Sequence, residues 1–355
     1  MPDPGSPTDP VAWLAHGQAL EARQTPDALA EAVRSYEVAI TLLRPAVASG
    51  AAAPHALAVA WMNRGNALHQ LGTPSDLAAA VAAYDETIAL LRPALSDDLA
   101  ARNTLGAAWM NRGLAAHRQA APAAILDAVR AHAEAITVLS SLPLAENPIF
   151  RRNLAASLLN QANALLDTGD SEVLEAALAN ARAALALAAP TETTALESAD
   201  LAFKARRVLC DALGHLLTLH ESAHLPLAPL TTEASDTVDA GLTLARHWET
   251  KNVPHFRPLA IRLFRFGTQL YRFNQPHFLA EFILENLDPK ISAGALPADG
   301  EFLTIATEAI TRSLDTMRHQ PGLIFDHPDN DRRVQTWRAL KSAEARLAEL
   351  HPQPT

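Results

Sequence analysis

Residues 61–93, WMNRGNALHQLGTPSDLAAAVAAYDETIALLRP, decide the fold. Trp61, Gly65 and Leu68 fall at i, i+4 and i+7, which is one stripe of a helix. Gly72-Thr73-Pro74 ends that helix and opens another, with Thr73 placed as an N-cap and Pro74 as the first helical residue. Val81, Tyr84, Ile88 and Leu91 form a second stripe, and Pro93 closes it. The stretch reads as a helical hairpin.

The hairpin recurs. Trp13, Trp61 and Trp109 are 48 residues apart, as are Gly17, Gly65 and Gly113. The second helix keeps the step in Val33, Val81 and Val129, in Tyr36, Tyr84 and His132, and in Ile40, Ile88 and Ile136. The break repeats as Thr25-Pro26, Thr73-Pro74 and Ala121-Pro122. A fourth copy follows one residue late (Leu158, Asn160, Ala162, Leu165; then Leu178, Ala181, Leu185), and a weaker fifth begins near Phe203 and Cys210. So many matches at one period make this a repeat protein.

The central unit resembles the tetratricopeptide repeat. Trp61, Gly65, Leu68, Ala80, Tyr84 and Pro93 stand where that family carries its Trp, Gly, large residue, Ala, aromatic and Pro, and Asn63 and Asn66 flank the glycine as is common there. The family's unit is about 34 residues, so each copy here is about 14 longer, roughly two turns on each helix. The resemblance covers Val11–Pro190 and implies an all-α, right-handed α-solenoid of antiparallel helix hairpins whose first helices line a concave groove. Trp61 and Trp109 are expected to be buried between the helices of their units.

Composition agrees with an all-α chain. Across 355 residues glycine is scarce, alanine and leucine abound, and alternating β-branched runs are missing. The formal charge of −10 is uneven: Met1–Thr250 carries 16 basic and 27 acidic side chains, Lys251–Thr355 carries 13 and 12. An acidic repeat half is a poor platform for nucleic acid, whose phosphates demand clustered Lys and Arg. The single cysteine, Cys210, excludes an intrachain disulfide, fits a reducing compartment and reads as a buried apolar residue. MPDPGSPTDP lacks the basic start and apolar run of a signal peptide, and no stretch approaches the ~20 uninterrupted apolar residues of a membrane span. A cytoplasmic location is the expectation.

The expected organisation is a disordered lead-in over 1–9, a repeat solenoid over 10–250 and a distinct helical module or cap over 251–355. Helix pairs are predicted at 10–23 with 26–49, 54–71 with 75–95, 97–119 with 122–141, and 148–168 with 171–188. Ser96-Asp97-Asp98 puts acids at a helix N-terminus, where the dipole favours them. A long helix over 191–220 follows, then the loop HLPLAPLTTE with Thr231 or Thr232 capping the next helix. Eight of the ten phenylalanines come after residue 250, Phe273 and Phe325 among them, so aromatic bulk replaces alanine packing there. Helices are expected at 256–274, 276–287, 299–319 and 330–350.

Three constellations bear on function. Stepping one residue beyond each anchor, the first helices present Met62, Asn66, His69, Met110, Leu114, His117 and Asn163, a mix of thioethers, amides and imidazoles suited to gripping a peptide or partner helix. The Lys and Arg with which chaperone-binding members of the resembled family hold a terminal carboxylate are absent from the matching places. His69 and His117 are one repeat apart, about 10 Å between helix axes, too far for a shared metal. Asn63, Asn111 and Asn160 recur in register and read as hydrogen-bonding links between neighbouring helices.

Arg262, Arg265 and Arg272 share one helix face and could take phosphate, an acidic peptide or the acidic half of a second copy. Finally, His220-Glu221-Ser222-Ala223-His224 matches the pattern in which two histidines at i and i+4 hold zinc and the Glu activates water. Against a zinc hydrolase stand Pro226, two residues beyond the second His, and the lack of a third ligand in a recognisable motif. The alternative is a solvated helix end whose histidines complement the dipole. With no phosphate loop and no nucleophile elbow, the sequence points first to a non-enzymatic, cofactor-free interaction scaffold.

Overall fold

The computed structural model describes residues 8–51, 54–92, 98–251, 253–274, 278–292, 295–296, 300–319 and 332–350. Residues 1–7 of the expected lead-in, Pro93, Ser96, Asp97 and Phe325 lie outside them, as does the side chain of Phe273. Among the described residues there are fourteen α-helices and no strand.

The helix starts follow from side chains that accept the otherwise unpaired first N–H groups. Asp9 caps α1 (Pro10–Glu21), Thr25 caps α2 (Pro26–Ala48), Thr73 caps α4 (Pro74–Leu91), Asp98 caps α5 (Leu99–His117) and Asn147 caps α7 (Pro148–Asp167). The proline after most caps falls where its missing N–H costs nothing. α3 (His55–Leu71) ends on Gly72 at φ 75°, a left-handed position suited to glycine. α6 (Pro122–Ser140) has Ala121 at the cap, and its first N–H groups have no side-chain acceptor there. α8 runs Leu174–Ala188.

The chain's contacts divide it into two compact units, Met1–Leu187 and Ala188–Thr355. In the first, each helix packs on the next from α1 to α7, as a helical repeat does, and the first helices of successive hairpins also touch: α1 with α3, α3 with α5, α5 with α7. Tyr36, Tyr84 and His132, one repeat apart, are fully buried. Each ring lies over the glycine of its own first helix. A Cβ on Gly17, Gly65 or Gly113 would meet Tyr36, Tyr84 or His132 at 2.5, 2.7 and 2.5 Å. Glycine is required there because the backbone itself forms the wall of the aromatic seat.

The indoles do not fill that interior. Trp61 and Trp109 are half-buried, a correction to the expectation that they lie between the helices of their own hairpins. Trp61 packs on the Ala39–Ile40 cluster of the preceding α2, and the Arg44 and Arg64 guanidinium carbons lie 5.7 and 5.6 Å from its ring centre. Trp109 repeats this with Arg92 and Arg112 at 5.4 and 5.8 Å. Each indole therefore belongs to the seam between repeats, where cations can cover a ring left partly open to water.

Ser171–Thr191 is long and apolar enough to cross a membrane by length and composition alone, contrary to the expectation that no stretch comes close. Nine alanines, four leucines and a valine supply its hydropathy. Leu174, Ala177, Leu178, Ala181, Ala184 and Ala188 are buried in the protein.

The second unit holds α9 (Leu196–Ser222), α10 (Ala228–Thr250), α11 (Arg257–Asn274), α12 (Leu279–Leu287), α13 (Gly300–Arg318) and α14 (Arg332–Leu350). α10 starts earlier than expected. Pro229 is accommodated in its first turn, and Thr231 lies inside the helix with its hydroxyl on the Leu227 carbonyl. Here α11 is the hub, touching α9, α10, α12 and α13. Phe203 stacks on Phe256 with ring centres 4.7 Å apart, and Phe264 contacts both Phe282 and Phe302. Asp288, buried, accepts from Arg346 of α14 at 2.5 and 2.9 Å, and this pair holds the carboxyl at about 2. Cys210 is buried, and burial pushes its thiol well above the usual range.

Candidate functional site

The first-helix face of the amino-terminal unit carries all seven residues expected to line a groove. Met62, Asn66, His69, Met110, Leu114, His117 and Asn163 are all half-buried rather than open. Met62 packs against both the Ile88–Leu105 and Leu68–Tyr84 clusters, so part of its thioether chain is committed to the core. Asn66 Oδ1 accepts from the Tyr84 hydroxyl at 2.9 Å and from Asn111 Nδ2 at 3.0 Å. That second bond joins α5 to α3, the link read for the repeated asparagines. Asn63 differs: its amide nitrogen is buried without a partner.

Further ties run along the same face. Gln70 donates to Glu21 at 2.6 Å between α3 and α1, and Glu21 also receives the Tyr36 hydroxyl at 2.9 Å. Arg118 donates to the His69 carbonyl at 2.6 Å. His117 meets Asp167 of α7 at 2.8 Å, and Asn163 donates to the Leu159 carbonyl at 3.0 Å. Burial, aided by the Arg118 charge, lowers the His69 imidazole below its usual range and keeps it neutral near pH 7. Arg118 and Asp167 could not be read from the repeat. The residues 48 before and after Gln70 are Ala22 and Arg118, so this position has no constant chemistry.

At the same seams, Arg64 of α3 donates to Glu37 of α2 at 2.9 and 3.0 Å. One repeat on, Arg112 of α5 reaches Asp85 of α4 at 2.6 Å and Asp127 of α6 at 2.7 Å. These pairs are partly exposed; Arg64–Glu37 and Arg112–Asp85 join neighbouring hairpins, and Arg112–Asp127 ties the two helices of the third.

In the second unit Arg262 and Arg265 are exposed on α11, and Arg272 is half-buried. Arg265 and Arg272 line a cleft of about 170 Å³ whose other wall is α13, with Ile305, Glu308, Ala309 and Arg312. Arg312 has no periodic signature, so its position opposite α11 could not be read from the sequence. Arg262 lies along a second, larger cleft of about 750 Å³ that also includes Arg257, Arg265 and Glu301.

His220 and His224 do not share a helical face. α9 ends at Ser222, and His224 lies beyond it at φ 55°. The His224 N–H bonds the Glu221 carbonyl and the Leu225 N–H bonds the His220 carbonyl, a left-handed helix stop. His220 Nδ1 is 3.1 Å from the Pro226 carbonyl oxygen. The i, i+4 geometry that a helical zinc pair requires is not formed at these two residues.

No protein-family model matches the chain, and no curated protein matches it.

Proposed function

We propose that the amino-terminal unit is a right-handed, tetratricopeptide-like solenoid and that the protein is a non-enzymatic scaffold binding a peptide or partner helix along its first helices. The observation that supports this most is the side-by-side contact of α1, α3, α5 and α7. It gathers Met62, Asn66, His69, Met110, Leu114, His117 and Asn163 into one half-exposed band on a framework cross-tied by Asn66–Asn111 and His117–Asp167. Side chains fixed by such ties lose little entropy on binding, which favours recognition over a floppy surface.

Selection of random peptides displayed on phage against the full chain tests the reading. A selected peptide should lose about tenfold or more in affinity to Met110→Ala/Leu114→Ala, a loss in the range of interface hot spots. It should bind Arg265→Ala unchanged and show little salt dependence. Loss in Arg265→Ala with steep salt dependence would move the site to the carboxy-terminal unit.

A further inference from the structure

We infer that the cleft between α11 and α13 is a binding site for a phosphate group, free or as a monoester, gripped by Arg265, Arg272 and Arg312. This site is separate from the first-helix band and does not depend on that reading. Arg265 and Arg272 project from one helix and Arg312 from the helix facing it, around a cleft of about 170 Å³. A water needs only about 10–15 Å³ by that measure, so the cleft has room for a tetrahedral oxyanion and part of its hydration shell.

Glu301 and Glu308 hold Arg265 and Arg312 only loosely. Glu301 is 3.6 Å from Arg265 and Glu308 is 3.7 Å from Arg312, and all four side chains are more than half exposed. Pairs of that length and exposure contribute little and exchange readily. Guanidinium forks match the geometry of a phosphate bidentately, and an oxyanion placed between α11 and α13 would satisfy donors from both helices at once. The exposed amide of Gln269 lines the same cleft and supplies a neutral donor.

Electrostatics agrees with the placement. Burial first, and then the charge of Arg312, lowers the Arg272 guanidinium from its usual range, so two like charges are held toward one another in a chain whose net charge is −10. An anion between Arg272 and Arg312 would offset that repulsion.

Titration calorimetry on the full chain, with inorganic phosphate against sodium chloride at matched ionic strength, tests the site. Phosphate should give saturable heat and a rise in Tm that chloride does not. Arg272→Gln and Arg312→Gln should each weaken it about tenfold, as loss of a charge-assisted fork predicts, while Arg262→Gln, outside this cleft, should bind within about twofold of the parent. Arg272→Lys keeps the charge without the fork and should fall between. Glycerol phosphate binding as well as phosphate supports an esterified ligand, and phosphate binding alone supports the free ion. Phosphate indistinguishable from chloride, unchanged affinity in folded Arg272→Gln and Arg312→Gln, or a hexaglutamate peptide that saturates where phosphate does not would each overturn the site.

Discussion

The Tyr84 ring occupies the space into which Gly65 would project a side chain, 2.7 Å from where that Cβ would stand, and its hydroxyl donates to Asn66 on the same helix. One aromatic thus fills the hairpin's interior and ties its first helix into the face that meets the next repeat. Gly65→Ala should push α3 and α4 apart or tilt the ring. The expected loss is about 1–3 kcal/mol, the usual cost of overpacking, read as a lower urea midpoint with unchanged slope. Tyr84→Phe keeps the ring and removes the hydroxyl, and should cost about 1 kcal/mol by leaving Asn66 one donor short. A Gly65→Ala protein as stable as the parent would mean the seat is looser than its geometry.

Trp61 should matter less than a core indole. Its ring is half-buried on the seam with α2, with Arg44 and Arg64 beside it. Full burial would set the cost of Trp61→Ala at about 3–5 kcal/mol; partial exposure and two cation–π contacts bring the expectation to about 2 kcal/mol. Trp109→Ala should match it within error, because the same arrangement recurs with Arg92 and Arg112. Denaturant unfolding of the two variants side by side checks both the size and the equality.

Arg112 joins three helices, where its counterpart Arg64 joins two. Its guanidinium bonds Asp85 and Asp127, while Arg64 bonds Glu37; each also lies beside the Trp of its own helix. Both arginines are mostly covered, but the acids are a third to a half exposed, so each pair is screened by solvent. Arg112→Ala should therefore cost about 1–2 kcal/mol and Arg64→Ala under about 1 kcal/mol. A double-mutant cycle of Arg112→Ala with Asp127→Asn isolates the additional pair; a coupling energy of zero would show that Asp127 adds nothing.

The hairpin boundaries were legible because they rest on local chemistry. Thr25 and Thr73 cap the helices read from them, and a 48-residue period carries the pairing. What was not legible depends on contacts across repeats or across the chain. Trp61 and Tyr84 both recur at the same step, and nothing in the spacing says which aromatic takes the interior; Arg44 and Ile40, from the preceding hairpin, draw the indole to the seam. Among the groove residues, Asn66 and His117 have partners, Asn111 and Asp167, that come from the neighbouring first helices. The arginine stripe on α11 was visible as a helical face. Its opposing Arg312 was not, because it lies 40 residues beyond Arg272 on a helix without repeat character.

The third repeat carries its own acid sensitivity. His132 replaces the tyrosine of the two preceding copies and is fully buried over Gly113, and neither ring nitrogen has a hydrogen-bond partner. Burial, with a smaller push from the nearby His117 (itself bonded to Asp167), drives its pKa from 6.5 down to about 3. Between those values the unfolded chain binds a proton that the folded one refuses, so the unfolded state gains as pH falls. Stability from this residue is complete above pH 6.5, declines through the window from 6.5 to about 3, and levels off below it. The slope contributed is at most about 1.4 kcal/mol per pH unit. His132→Tyr restores the repeat's own residue over the same glycine and removes the titration. Urea unfolding at pH 7 and pH 5 should show the parent losing more stability than His132→Tyr over that interval, by about 2 kcal/mol. Equal losses in the two proteins would place the acid sensitivity elsewhere and show that His132 is hydrated or paired in solution.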